Sequence, residues 1–464
     1  MYKRACAGIL LLMLAMMITS CGNANDANDD TAEPTAPTEA TTPQYTVQDA
    51  EQPYEQNEPN DDINEPPYYE TYEPQDIVFH VPDFADYAQE LAARAYLWAS
   101  GLAYEQNNAD RITEMNDRVI FYDDRLRMRF NYTVVGDAPE NGHALFIAMH
   151  GGGGVPMHIN ESQWQHMQVY YLYGVREGIY VATRGIRDTW HTHFNDESFP
   201  LYDRLIENFM LLYNIDPNRI YLMGFSAGGD GVYAIAPRMA DRFAAASMSA
   251  GHHNGVNPLN LKHVPMLLQC GDHDIAFNRH IETVNFGESL MALDYEVEVF
   301  MHVGMPHNFV DNSPTGALQR VWADPIAWRD TGTSDIVERD TNAVRFLERF
   351  TRNPLPRDLV WHLGTRAPYR QVESFYWLRA CHSVNEGVIR ATLHDNRIVI
   401  ETESVYGSFD ILLNRQMVDF DLPVIVEKNG TVHTFYVVSC ADTLLETTLE
   451  RMDPNFQFTA VIQF

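Results

Sequence analysis

The chain has 464 residues, 45% of them hydrophobic and 12% aromatic, enough for more than one packed core. A formal charge of −32 argues against nucleic-acid binding, because phosphate contacts need clustered Lys and Arg. The acidity is uneven: residues 22–76 hold 15 Asp or Glu and no Lys or Arg. That segment carries too few apolar side chains to build a core and is expected to be disordered and extended.

In chain order, Lys3 and Arg4 precede an apolar run over 8–18 that is too short to span a bilayer comfortably, as in a signal-peptide core. Ile18-Thr19-Ser20-Cys21-Gly22 follows. This stretch resembles the lipobox of bacterial lipoproteins, in which the Cys becomes the acylated first residue. The resemblance implies a signal peptide over 1–21, lipid on Cys21, an acidic tether over 22–76, and a body held extracytoplasmically on the cell membrane by the lipid anchor. Three Cys remain in the body. A Cys381–Cys440 bridge is compatible with an oxidising compartment, but a buried thiol is the expected state of Cys270, Cys381 and Cys440 alike.

Order is expected from about Ile77. Residues 83–104 read as a helix, with Phe84, Tyr87, Leu91 and Tyr96 near helical spacing. Residues 118–135 read as a β-hairpin turning at Asp123-Asp124. Strands and helices then alternate. Strands are expected at 144–149, 178–182, 219–223, 243–248, 265–269 and, last, 297–302. Helices are expected at 164–173, 202–213, after Ser226, and at 278–293. Short apolar strands separated by helices imply a mostly parallel, doubly wound sheet covered on both faces. From about residue 353 the pattern becomes short β segments. These include a pair around Asp395-Asn396 and a hairpin around Asn429-Gly430, so residues 353–464 are expected to form an all-β, sandwich-like domain behind a catalytic domain over 77–352. Trp361, Tyr376 and Trp377 are expected in its core.

Gly224-Phe225-Ser226-Ala227-Gly228-Gly229 follows the strand Ile220–Met223 and precedes a helix. A nucleophile elbow needs that context: small residues at a sharp turn that thrusts a serine out at the carboxyl edge of the sheet. His150-Gly151-Gly152-Gly153-Gly154 follows strand 144–149, and such a loop brings backbone N–H groups close to a substrate. The oxyanion donors are expected to be Ala227 with Gly151 or Gly152. Asp274 is chosen as the acid and Asp272 is the second candidate, its carboxylate otherwise solvated or capping the loop. His307, in the loop after strand 297–302, is the expected base. The order Ser226, Asp274, His307 suits this chemistry: His307 takes the serine proton and Asp274 orients the imidazole. His302 is expected to be structural. His150, Trp190, His191 and His252 are candidates for a substrate pocket. No H-E-x-x-H or paired-Cys spacing is present, so neither metal nor cofactor is expected.

These residues, together with Gly271-Asp272-His273-Asp274-Ile275-Ala276-Phe277-Asn278-Arg279 and Pro306-His307, resemble the α/β-hydrolases grouped near polyhydroxybutyrate depolymerases, feruloyl esterases and prolyl-oligopeptidase-like hydrolases. The likeness covers roughly residues 140–350. It implies an α/β-hydrolase fold and hydrolysis of a small-molecule or polymer ester through an acyl-enzyme, without cofactor. Two alternatives stay open: a serine peptidase on the same triad, and a surface lipoprotein whose hydrolase fold is inert and whose β domain binds glycan or a partner.

Overall fold

A computed structural model describes residues 86–314, 316–365, 374–380 and 387–464. The signal segment, Cys21, the tether and Cys381 lie outside the described residues. The central sheet contains β1 (Val119–Phe121), β2 (Arg127–Val135), β3 (His143–Met149), β4 (Gly178–Thr183), β5 (Ile215–Phe225), β6 (Ala245–Ser249), β7 (Met266–Gly271), β8 (Val297–His302), β9 (Gln319–Trp322) and β10 (Ile336–Arg339). Their order is β1-β2-β4-β3-β5-β6-β7-β8-β9-β10. Strands β4-β3-β5-β6-β7-β8 run parallel, and the two pairs at either end are antiparallel. The sheet therefore does not end at residues 297–302, as expected, but goes on through β9 and β10. Each is only four residues long and carries Arg or Glu, so neither shows an apolar run in sequence.

The parallel strands are buried on both faces. Leu145, Ile147 and Met149 of β3 join one apolar cluster with Ile179, Val181, Ile220 and Leu222. Ala144, Phe146 and Ala148 join the other with Tyr180, Ala182, Tyr221 and Met223. This is the period-two alternation of a strand, with both faces covered. Helices α1 (Tyr87–Glu105), α2 (Ala109–Asp117), α3 (Met157–Tyr170), α4 (Ser198–Leu212), α5 (Ala227–Ile235), α6 (Arg279–Ala292), α7 (Pro325–Thr331) and α8 (Ala343–Leu347) intervene. Phe199, Leu205 and Phe209 of α4 cover the first cluster with Phe286 of α6, while Met167 of α3 and Val344 of α8 cover the second. The arrangement is that of an α/β-hydrolase. None of the helices among the described residues is long and apolar enough to cross a membrane.

Two helices differ instructively from expectation. α3 begins at Met157, seven residues before the predicted start, because its first turns hold His158, Asn160, Glu161 and Gln163 and so show no apolar period. α1 forms with Asp86 as its N-cap, but it buries Glu90, Ala93, Arg94 and Leu97 and leaves Tyr87, Leu91 and Tyr96 exposed. The buried face is chosen by Glu90. Its carboxylate accepts hydrogen bonds from the Arg415 N–H (3.1 Å), Ser439 Oγ (2.8 Å) and Thr459 Oγ1 (3.0 Å).

The C-terminal region is β-rich and has its own sheets. Its strands are β11 (Asp358–His362), β12 (Ser374–Phe375), β13 (Leu378–Ala380), β14 (Val388–His394), β15 (Arg397–Glu403), β16 (Phe409–Leu413), β17 (Val424–Lys428), β18 (Thr431–Phe435) and β19 (Ala460–Gln463). One sheet has the order β11-β14-β15-β17-β18 and the other β12-β13-β16-β19. The β15–β17 pair is parallel, and helix α9 (Ala441–Arg451) lies between β18 and β19 in sequence. Asn429 and Gly430 both have positive φ, 49° and 82°, as the two-residue hairpin requires. Trp361, Tyr376 and Trp377 are core residues in the same apolar cluster as the sheet's first face. At this joint Arg352 pairs with Asp453 at 2.8 Å, both side chains fully buried, and Arg451 pairs with Asp241 at 2.7 Å. Cys270 is a buried free thiol, whereas Cys440 is an exposed free thiol and not the buried one expected, because it sits at the N-cap of α9.

Candidate active site

β5 ends at Phe225 and α5 starts at Ala227, leaving Ser226 to make the whole turn. Its backbone is strained, with φ 58° and ψ −120°. The turn closes only because its flanks are bare: a Cβ on Gly224 would lie 2.2 Å from the Gly228 carbonyl oxygen, and one on Gly228 would lie 2.1 Å from that of Met149. The side chain of Ser226 is thereby held out at the carboxyl edge of the parallel strands.

His307 reaches this serine from the loop after β8, its Nε2 3.0 Å from Ser226 Oγ. The other ring nitrogen, Nδ1, is 2.6 Å from Oδ2 of Asp274. The Asp274 side chain is 2% exposed. The two loops touch through backbone. The His273 N–H donates to the Met305 carbonyl (3.0 Å), and a side chain on Gly271 would strike the Met305 and Pro306 carbonyls at 2.2 Å. Asp272 is turned away from the imidazole. It is neither solvated nor capping its loop, as expected of the second candidate, but buried and accepting a hydrogen bond from Trp322 Nε1 at 2.9 Å. Trp322 comes from β9, the strand that escaped the sequence pattern.

The glycine loop lies against Ser226: a Cβ on Gly151 would be 3.3 Å from Ser226 Cβ. Gly152 and Gly153 take φ of 109° and 91°, conformations closed to other residues. The N–H groups of Gly151 and Gly152 make no hydrogen bond among the described residues, while that of Gly153 donates to Asn160 Oδ1 at 2.9 Å. Ala227 is the first residue of α5, where an N–H has no acceptor within the helix. Free N–H groups beside a serine oxygen, at the positive end of a helix, are suited to a developing oxyanion.

Asn160 escaped the sequence reading because a polar residue early in a helix looks like a solvated one. It is fully buried. Its Nδ2 donates to the Gly153 carbonyl (2.9 Å) and to Asp188 (2.8 Å), which in turn pairs with Arg184. His150 is not a pocket residue, contrary to expectation. Its ring is fully buried, accepts from the Gly185 N–H at Nε2 (3.1 Å) and packs 4.6 Å from the ring of buried His193. Burial depresses its pKa to about 3, so it stays neutral and braces the loop from beneath. His302 is likewise buried, bonded to Gln269 at 3.0 Å, and depressed to about 3 by burial.

Trp190, His191 and His252 do line one cavity, of about 330 Å³, together with Phe194, Asp230, Phe277 and Arg279. A Cβ on Gly154 would touch the Trp190 indole at 3.2 Å, so the glycine loop and this wall are in contact. Asp230 lies four residues beyond Ser226, one turn along α5, a spacing that could have marked it in sequence. Burial raises its pKa to about 6, and it accepts from the His252 N–H at 2.7 Å. Arg279 Nη1 lies 3.4 Å from Asp274, on the carboxylate oxygen that His307 leaves free.

No protein-family model and no curated protein matches this chain. Among solved structures it is similar to a thermostable esterase, with 20% identity and a TM-score of 0.36 over 51% of this chain and 64% of that one, just under two thirds of its length. A ferulic acid esterase from Anaeromyces mucronatus is similar at 16% identity and a TM-score of 0.30, over 41% and 82% of the two chains. A Pyrococcus horikoshii acylaminoacyl peptidase is similar at 16% identity and a TM-score of 0.33, over 42% and 38%. The likeness is distant and confined to part of each chain.

Proposed function

We propose that the protein is a serine hydrolase that cleaves carboxylic esters through an acyl-enzyme on Ser226, and that it works outside the cytoplasm on a lipid anchor at Cys21. The observation that carries the catalytic reading is the connected line Asp274–His307–Ser226, at 2.6 and 3.0 Å, beside unpaired N–H groups. Ser226 Oγ attacks the ester carbonyl as its proton passes to His307 Nε2. The carbonyl oxygen becomes negative and is held by the N–H of Ala227 with Gly151 or Gly152. Collapse of this intermediate breaks the C–O bond, and His307 returns the proton to the leaving alkoxide. Water repeats the sequence on the acyl-enzyme and releases the acid. Asp274 holds the imidazole in one tautomer and offsets its positive charge. The acyl or alcohol portion fills the cavity of Trp190, His191, His252 and Phe277.

Ester hydrolysis suits the site because an alcohol leaves more readily than an amine. Peptide hydrolysis is the second reading. It is favoured by the carboxylate of Asp230 in the same cavity, which would meet a substrate ammonium group. Rates on p-nitrophenyl acetate and on peptide anilides separate the two. Ser226→Ala is expected to abolish turnover and covalent labelling by a fluorophosphonate while leaving the melting temperature near that of the wild type. A purified variant with wild-type turnover overturns the proposal, and failure of the intact protein to label returns the chain to the reading of an inert, binding lipoprotein. We take residues 77–352 as the catalytic domain and 353–464 as its β-rich companion.

A further inference from the structure

A second cavity, of about 510 Å³, gathers positive charge in a chain that is otherwise strongly acidic. Arg125, Arg127 and Arg129 occupy alternate positions leading into β2, where Met128 and Phe130 point to the core and Arg127 and Arg129 to the outside. The N–H of Arg184 donates to the Arg129 carbonyl at 2.7 Å, which carries the β2–β4 ladder one residue further and sets these two arginines side by side. Arg187 joins from the loop that follows, so five guanidinium groups line one space.

The carboxylates at this cavity are Glu161 and Asp188. Glu161 binds both Arg129 and Arg184, and Asp188 binds Arg184. Arg187 is taken by Glu197 through two bonds of 2.8 and 2.9 Å. Arg125 and Arg127 form no ion pair among the described residues; Arg127 only lies 6.0 Å over the ring of Phe121. Aspartate and glutamate outnumber lysine and arginine 64 to 32 in this chain, so partners for two guanidiniums were not scarce. Like charges on one strand face are unfavourable unless an anion sits between them.

We propose that this cavity binds an anionic group, a carboxylate or a phosphate, gripped by Arg125 and Arg127 with Arg129 and Arg184 behind them. The flat fork of guanidinium donors matches the paired oxygens of either group. The site is joined to the glycine loop by direct bonds. Asp188 accepts from Asn160, which holds Gly153, and the Gly185 N–H donates to His150. The segment that supplies Arg184, Arg187 and Asp188 runs on to Trp190 at the cavity beside Ser226.

The test is calorimetric titration of the full chain with inorganic phosphate and, separately, with galacturonate, at an ionic strength held constant with sodium chloride. This readout does not depend on hydrolysis. Saturable 1:1 binding of at least one anion is expected. Phosphate alone assigns the tetrahedral group, and galacturonate alone assigns the carboxylate. The double variant Arg125→Ala/Arg127→Ala is expected to weaken that binding by about tenfold or more at an unchanged melting temperature. Arg125→Gln/Arg127→Gln repeats the measurement if the alanine pair fails to fold. Absence of saturable binding by both anions, or equal affinity in wild type and variant, overturns the proposal.

Discussion

Replacing Asn160 by alanine isolates the contribution of the glycine loop from that of the three side chains at Ser226. The wild-type amide accepts from the Gly153 N–H and donates to the Gly153 carbonyl, both at 2.9 Å, and donates to Asp188 at 2.8 Å. Truncation removes these bonds and leaves the buried Gly153 N–H without a partner, at about 1–3 kcal/mol for such a group, while the Gly153 carbonyl keeps the Val155 N–H at 2.8 Å. A net loss of about 2 kcal/mol of folding stability is expected once relaxation is allowed for. The loop would relax toward whatever acceptors it can find, and the N–H groups of Gly151 and Gly152 would lose their aim. Loss of one oxyanion donor costs roughly 100-fold in kcat, so a fall of about 10- to 100-fold is expected, with KM changed far less. The assay is steady-state hydrolysis of p-nitrophenyl acetate beside a urea melt, at a temperature where both proteins are folded. Wild-type kcat in a variant that has lost the expected stability would refute the reasoning, because the loop would then not depend on the Asn160 brace for catalysis.

Three other outcomes follow from the same geometry. Arg352→Ala takes the close ion pair from the fully buried Asp453, leaving it Arg242 at 3.9 Å and the Asn455 N–H at 2.9 Å, and a loss of about 3 kcal/mol is expected in a urea melt. Burial opposes ionisation of Asp453, but Arg352 and Arg242 outweigh it and hold its pKa below the ordinary value. Its contribution is present at neutral pH and lost as the pH falls through the depressed pKa, so the deficit of Arg352→Ala should shrink in acid. Asp230 behaves in the opposite sense: with its pKa raised from 3.8 to about 6 by burial, the folded state binds the extra proton and loses stability as the pH rises through that window. Asp230→Asn should therefore be more stable than wild type to urea at pH 7.5 by on the order of 1–2 kcal/mol and show no such gain at pH 4, and equal differences at both values would count against it. Cys21→Ser is expected to move the protein from the membrane fraction to the soluble one, and unchanged fractionation would remove the anchor from the proposal.

The parallel strands, the sharp turn at Ser226 and the glycine loop were legible because each depends on local rules: apolar runs of strand length, small residues where backbones meet, and a short separation in sequence. So was the pairing of Asp274, rather than Asp272, with His307, which was expected from its distance from Gly271. The reason for that pairing was not legible, since it depends on Trp322, fifty residues away, drawing Asp272 aside. Sequence misplaced His150 for a related cause. A histidine before four glycines reads as part of a loop surface, whereas the fold closes Gly185 and His193 over it.

The sequence by itself determined the parts whose physics is local: which segments are strands, where the chain must turn tightly, and which serine, histidine and aspartate stand in the right order. Only the tertiary structure decided which polar groups are buried and against what. Glu90, Asn160 and Asp453 look like ordinary surface residues in the chain, yet each is enclosed by partners brought from other elements. Burial is a property of the assembled neighbourhood, and no periodicity of a single segment encodes it.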